Sequence, residues 1–169
     1  QSAVTREFGK QIQKMSENYT ELSNDCQAAG QHMFKSGRLI DTTRSDMFRG
    51  HTAVTYLDNL KVFQVDHFIL TWRVYNNAVG FEQLKITQLN DPTACKLGKW
   101  IGSQTDERIT GSQAFKDLRR CHEELHSHAV DSFKAKENGN VDMAIHHFGL
   151  VLDAYYKYEK AIARLREVY

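Results

Sequence analysis

Residues 118–130 read LRRCHEELHSHAV and hold His122, Glu123, Glu124 and His126. His122 and His126 are one helical turn apart, so on a helix both imidazoles project from one face and can share a metal ion. With Glu123 they spell H-E-x-x-H, the pattern in which two histidines bind zinc and the glutamate is the general base of a metalloprotease. The motif is short, and a shuffled chain of this His and Glu content shows it roughly once in fifty tries. His128 lies six positions from His122, about 240° around a helix, and points elsewhere.

Two further residues extend the chemistry. His67 falls on an apolar stripe, where a neutral imidazole needs a hydrogen-bond partner. It reads either as a satisfied core histidine or as a third ligand. Cys95 opens a short helix and reads either as a small buried hydrophobe or as a fourth ligand. Three imidazoles and one thiolate make a tetrahedral zinc set and would satisfy four polar groups inside a core. Cys121 is a rival thiolate, but it points about 100° away from its neighbour His122. Asp66 reads as an acceptor for a ligand imidazole or as a helix-surface charge. Trp72 and Trp100 read as core residues that cover the site and exclude water. His146 and His147 open the last helix, either solvated or beside the metal, and His32 and His51 have no evident partner.

A catalytic zinc keeps one position open for water. If His67 and Cys95 both bind, that position is filled. Glu124, Arg119 and Arg120 mark the Glu123 side as a solvated face, and there is little strand to hold a peptide by edge addition. A zinc peptidase on His122, Glu123 and His126 is therefore the lesser functional reading, and no residue is assigned as catalytic. A di-iron bundle needs more histidines and bridging carboxylates than this stripe provides.

These residues must be positioned by helices. Ile12, Met15, Tyr19, Leu22, Cys26, Ala29 and Met33 alternate in steps of three and four, which predicts a coiled-coil helix over 3–35. FKSGRLIDTTRSD reads as a junction. A second helix is expected to start between Asp41 and Ser45 and to reach Ala78, on the order of 50 Å long. Its stripe is Val54, Leu57, Leu60, Phe63, His67, Phe68, Thr71, Tyr75 and Ala78. FEQLKITQL is ambiguous between strand and loop. Asn90 or Asp91 as N-cap and Pro92 at the first position predict a short helix carrying Cys95 and Trp100. IGSQTDERITGSQ reads as a polar loop. Thr110 or Ser112 caps a third long helix with Phe115, Leu118, His122, Leu125, Ala129 and Phe133 inside. KENGN breaks it. The last helix aligns Val141, Ala144, Phe148, Val151, Tyr155, Tyr158, Ile162 and Leu165. The sum is an all-α chain: an antiparallel four-helix bundle of three long helices and a short Cys-bearing one, at 41–169, with a coiled-coil stalk at 1–40. A stripe of that kind on a polar helix also supports a purely structural oligomerisation module.

Composition excludes some classes. Of 169 residues, 41% are hydrophobic and 25% charged, with a net charge of +1, so neither nucleic acid nor an anionic membrane surface is indicated. Three irregularly spaced cysteines make a poor disulfide framework and suggest a reducing, cytoplasmic setting. No apolar run approaches the ~20 residues that span a bilayer, and no signal peptide is evident. Gln1 in place of Met suggests a fragment or a processed product.

With CKLGKW at 95–100, DHFILTW at 66–72 and HEELHSHA at 122–129, the chain resembles the chemoreceptor zinc-binding domain family, CZB. NGNVDMAIHHF resembles the turn before that family's last helix, and the likeness covers roughly residues 50–169. FILTWRV is more hydrophobic than is usual after the family's D-H. The resemblance implies a bacterial cytosolic regulatory domain, not an enzyme, with zinc held by His67, Cys95, His122 and His126 in a four-helix fold, commonly a homodimer. It further implies that zinc occupancy, or oxidation of Cys95 by hypochlorous acid or peroxide, controls an attached output such as a chemoreceptor signalling module or a diguanylate cyclase. No signalling tip or cyclase motif is present in these residues.

Overall fold

A computed structural model describes the backbone at residues 2–49 and 56–168 and the side chains at 4–42 and 59–168. The secondary structure described is helical, and no strand occurs among these residues. The chain divides into two compact units, Gln1–Ser45 and Asp46–Tyr169.

Helix α1 runs Ser2–Arg49 without a break. The expected junction is therefore helical, and the expected start of a second helix at 41–45 falls inside α1. Ser36 and Gly37 cost the helix about 1 kcal/mol at most each. No proline stands before Pro92 to remove a backbone hydrogen bond. The apolar seam is exposed on this single chain: Val4, Phe8, Ile12, Met15, Tyr19, Leu22 and Met33 all face solvent.

In the second unit α2 runs Tyr56–Val79, 24 residues and so about 36 Å. Gly80 ends it at φ +88°, a conformation without penalty only for glycine. Its inner stripe is Leu60, Phe63, His67, Thr71, Val74 and Ala78, all buried. Phe68 and Tyr75, expected inside, are exposed, and Val74 takes the inner place. The side chains of Val54, Leu57 and His51 lie outside the described residues.

The ambiguous stretch after Gly80 is a loop with one 3-10 turn, Ile86–Gln88. The Asn77 carboxamide accepts from the Leu84 N–H, and Leu84 and Leu89 are buried as anchors. Helix α3 follows at Lys96–Ser103, then α4 at Glu107–Thr110, a short helix where a polar loop was expected. Asp106 caps α4 by accepting from the Arg108 N–H, and Ile109 is buried. Helix α5 is Gln113–Glu137, capped by Ser112 as the sequence predicts. Asn138 and Gly139 turn the chain into α6, Val141–Val168.

Side-chain pairs fix the directions. His67 meets Tyr158, and Tyr75 stacks on Phe148, so α6 runs antiparallel to α2. The tight turn makes α6 antiparallel to α5 as well. Cys95 meets His67 and His122 while Trp100 packs on Phe63 and Phe115, so α3 runs opposite to both α2 and α5. The order is up, down, up, down, with α3 as the short second helix. This is the antiparallel bundle expected from the sequence. Leu60, Leu97, Leu118, Leu125, Val151, Tyr158, Ile162 and Leu165 are fully buried at its centre, each worth about 1.5–3 kcal/mol of burial. No described helix is long and apolar enough to cross a membrane.

Candidate metal centre

The inner stripe of α2 delivers His67, and the inner face of α5 delivers His122 and His126; all three are at least 97% buried. Cys95 is the N-cap of α3, and its sulfur accepts from the Gly98 N–H at 3.3 Å. This cap replaces the expected one at Asn90 or Asp91. Asp91 instead accepts from the Thr93 N–H and hydroxyl, in a turn that also contains Pro92. The turn brings Pro92's carbonyl against α3, and Gly98 is what permits it. A Cβ at position 98 would collide with that carbonyl oxygen and lie 2.7 Å from the Thr93 Cα.

The four side chains converge. One ligand atom from each of His67, Cys95, His122 and His126 lies within 4.8 Å of the others. Cys95 Sγ is 3.2 Å from His122 Nε2 and 3.9 Å from His67 Nε2. Two ligands sharing a tetrahedral zinc, one sulfur and one nitrogen, stand about 3.6 Å apart, between these two values. The ring centroids of His122 and His126 are 4.7 Å apart and those of His67 and His122 4.9 Å apart, nearly perpendicular in both cases.

Hydrogen bonds set the tautomers. His67 Nδ1 lies 2.7 Å from the Phe63 carbonyl and His126 Nδ1 lies 2.8 Å from the Leu89 carbonyl. A carbonyl only accepts, so both Nδ1 atoms carry the proton and both Nε2 atoms present a lone pair to the cluster. The Tyr158 hydroxyl, 3.4 Å from His67 Nδ1, is a longer second acceptor. His126 Nε2 is buried and has no hydrogen-bond partner among the described residues. Such an atom costs about 1–3 kcal/mol, which coordination would remove.

The electrostatics keep the three imidazoles neutral. Burial, with the neighbouring His126 adding to it and the Phe63 carbonyl opposing it, lowers the His67 pKa to about 4. Burial and then the His67 and His126 rings lower His122 to about 2. Burial also lowers His126, with the Leu89 carbonyl and Asp91 pulling the other way. Neutral imidazoles are the form a metal binds. Burial raises the Cys95 thiol, opposed by the Gly98 and Leu97 N–H groups. A bound Zn²⁺ reverses that balance and takes the thiolate.

The remaining sequence candidates lie around this cluster or away from it. Asp66 forms an ion pair with Lys96 at 3.6 Å, while the ring N–H groups of His67 and His126 go to main-chain carbonyls. Trp100 packs between Phe63 and Phe115, on the helices that carry His67 and His122. Trp72 lies edge-on to Phe68. Cys121 is buried and outside the cluster, His146 is exposed, and His128 is not among the four. Glu123 is exposed and paired to Arg119 at 3.0 Å. The residues that sequence reasoning missed are Phe63 and Leu89, which act through their carbonyls, and Tyr158. The one signal for Tyr158 is a hydroxyl on the apolar stripe of the last helix, which Tyr155 shares.

Searches among curated proteins and among solved structures found no match to this chain. Residues 67–132 match the family model described as the chemoreceptor zinc-binding domain, CZB. That span begins at His67 and includes Cys95, His122 and His126, so the cluster and the family match identify zinc as the cofactor. The region that holds the site, residues 67–132, is thus similar to the chemoreceptor zinc-binding domain.

Proposed function

We propose that His67, Cys95, His122 and His126 hold one zinc ion in a closed tetrahedral site, and that this site is a regulatory sensor rather than a catalyst. The carrying observation is the convergence of three neutral, oriented imidazoles and one cysteine sulfur from α2, α3 and α5. With four protein ligands no position is left for a hydrolytic water. Glu123, the base a peptidase would need, is turned to solvent and held by Arg119.

Cys95 is the reactive member of the set. Zinc holds it as a thiolate, the nucleophilic form. Hypochlorous acid accepts two electrons from that sulfur, which becomes a sulfenic acid as chloride leaves. The oxidised sulfur is a poor ligand, so Cys95 and the N-terminus of α3 are freed from the metal. Either this step or a change in zinc supply alters how α3 packs against α2 and α5. Residues 41–169 then act as the sensory domain and 1–40 as a stalk, in a cytoplasmic bacterial protein. The exposed seam of α1 pairs with the same seam of a second copy to give a homodimer. A chemoreceptor signalling module or a diguanylate cyclase is the output.

Purified full chain is expected to carry one tightly held zinc, and Cys95→Ala to weaken it at least ~10-fold, as losing even an indirect partner of a metal ligand does. Hypochlorous acid should release zinc from the wild type in proportion to the thiolate lost. Zinc affinity unchanged by Cys95→Ala would remove the ligand set and the redox reading together.

A further inference from the structure

The same bundle brings together a second group of ligating side chains. His128 and Asp131 are three apart on α5, about 60° from one another around the helix. Position 128 is about 200° from His126, so this face turns away from the Cys95 cluster. His147 reaches it from α6. One ligand atom from each of His128, Asp131 and His147 lies within 4.8 Å of the others, and all three residues are half-buried.

The surroundings leave these groups unsatisfied. Nδ1 of His128 and Nδ1 of His147 are both shielded from solvent and have no hydrogen-bond partner among the described residues. Two such atoms in one place are unusual, because buried polar groups are nearly always paired. Two imidazoles and a carboxylate are a known ligand set for zinc with a water in the fourth position. The i, i+3 spacing on one helix with a third ligand from its antiparallel neighbour is how bundles build metal sites.

We propose that His128, Asp131 and His147 form a second divalent-cation site, of the zinc class and open to solvent at its remaining position. It is weaker than the Cys95 site, having three ligands, no thiolate and partial exposure. It ties the second half of α5 to the first turns of α6. The domain would then fill a closed site at low zinc and an open one at higher zinc, giving it two thresholds. The third histidine of HEELHSH is a ligand here and not in the first site.

Cobalt distinguishes the two sites, because only the Cys95 site can give a sulfur-to-metal charge-transfer band. Full-length chain stripped of metal is titrated with Co²⁺ and then with Zn²⁺, with circular dichroism to verify the fold. Two equivalents should bind, the charge-transfer band saturating with the first and only ligand-field absorption growing with the second. Asp131→Asn and His147→Ala should each weaken the second equivalent at least ~10-fold and leave the band unchanged. Failure of the Cys95 site alone would appear as absence of the band with the sulfur-free equivalent still bound. Saturation of folded wild type at one equivalent, or a second equivalent that persists in the Asp131→Asn, His147→Ala double variant, overturns the proposal.

Discussion

Each member of the buried cluster was legible in the sequence for a separate reason. His122 and His126 share a helix face by spacing alone, His67 interrupts an apolar stripe, and Cys95 stands in a distinctive CKLGKW. What spacing could not supply is how the rings are aimed, because the acceptors are the carbonyls of Phe63 and Leu89, and Leu89 is 37 residues from His126. The buried imidazoles carry a pH signature. In the unfolded chain they titrate near 6.5, whereas His67 in the fold titrates at about 4 and His122 at about 2. The unfolded state therefore binds more protons in that window, and stability rises with pH. The contribution is complete above the ordinary imidazole value and is lost as pH falls towards the folded values. Metal-free protein should melt at a clearly lower temperature at pH ~5 than at pH ~7. Equal melting temperatures in chelator-treated samples would contradict neutral burial of these rings.

At the scale of elements, the three long bundle helices were legible because their apolar periodicity is strong, whereas the short α3 was read only from a cap signal. The errors have local causes. Ser36 and Gly37 look like a break, but their propensity cost is small and no proline interrupts the 48 residues of α1. Residues 106–111 have the form of a helix, with Asp106 as cap, Ile109 as anchor and Gly111 as terminator, yet four residues are too few for periodicity to show. Asn90, Asp91 and Pro92 look like a helix start, and the true N-cap is Cys95 itself. The Gly98 contact gives the sharpest prediction for an element. Gly98→Ala forces the 92–94 turn away from α3 and so displaces the Cys95 cap. The expected result is a loss of about 1–3 kcal/mol of stability, read by denaturant titration, and weaker zinc binding. A variant with wild-type midpoint and wild-type zinc affinity would show that the turn is not needed to place the sulfur.

For the whole molecule, zinc in the proposed site would link α2, α3 and α5, which otherwise meet through apolar packing and the Lys96–Asp66 ion pair. A ligand at ~1,000 times its Kd stabilises the folded state by about 4 kcal/mol. Chelation should therefore lower the melting temperature of the bundle by roughly 10–20 °C. A purely structural module would show no such change. The exposed seam of α1 is the proposed dimer surface. Met15→Asp with Leu22→Asp should convert a dimer to a monomer by light scattering and leave zinc binding at the Cys95 site intact. A mass unaffected by both charges would assign self-association to another surface.

The central claim is that one zinc is held by three imidazoles and the Cys95 thiolate, with no open position. X-ray absorption at the zinc edge, on full-length chain loaded with one equivalent, reads that first shell directly. The account predicts three nitrogens at about 2.0 Å and one sulfur at about 2.3 Å, the sulfur lost in Cys95→Ala. A shell of light atoms alone, or a sulfur that survives the Cys95→Ala substitution, would contradict it.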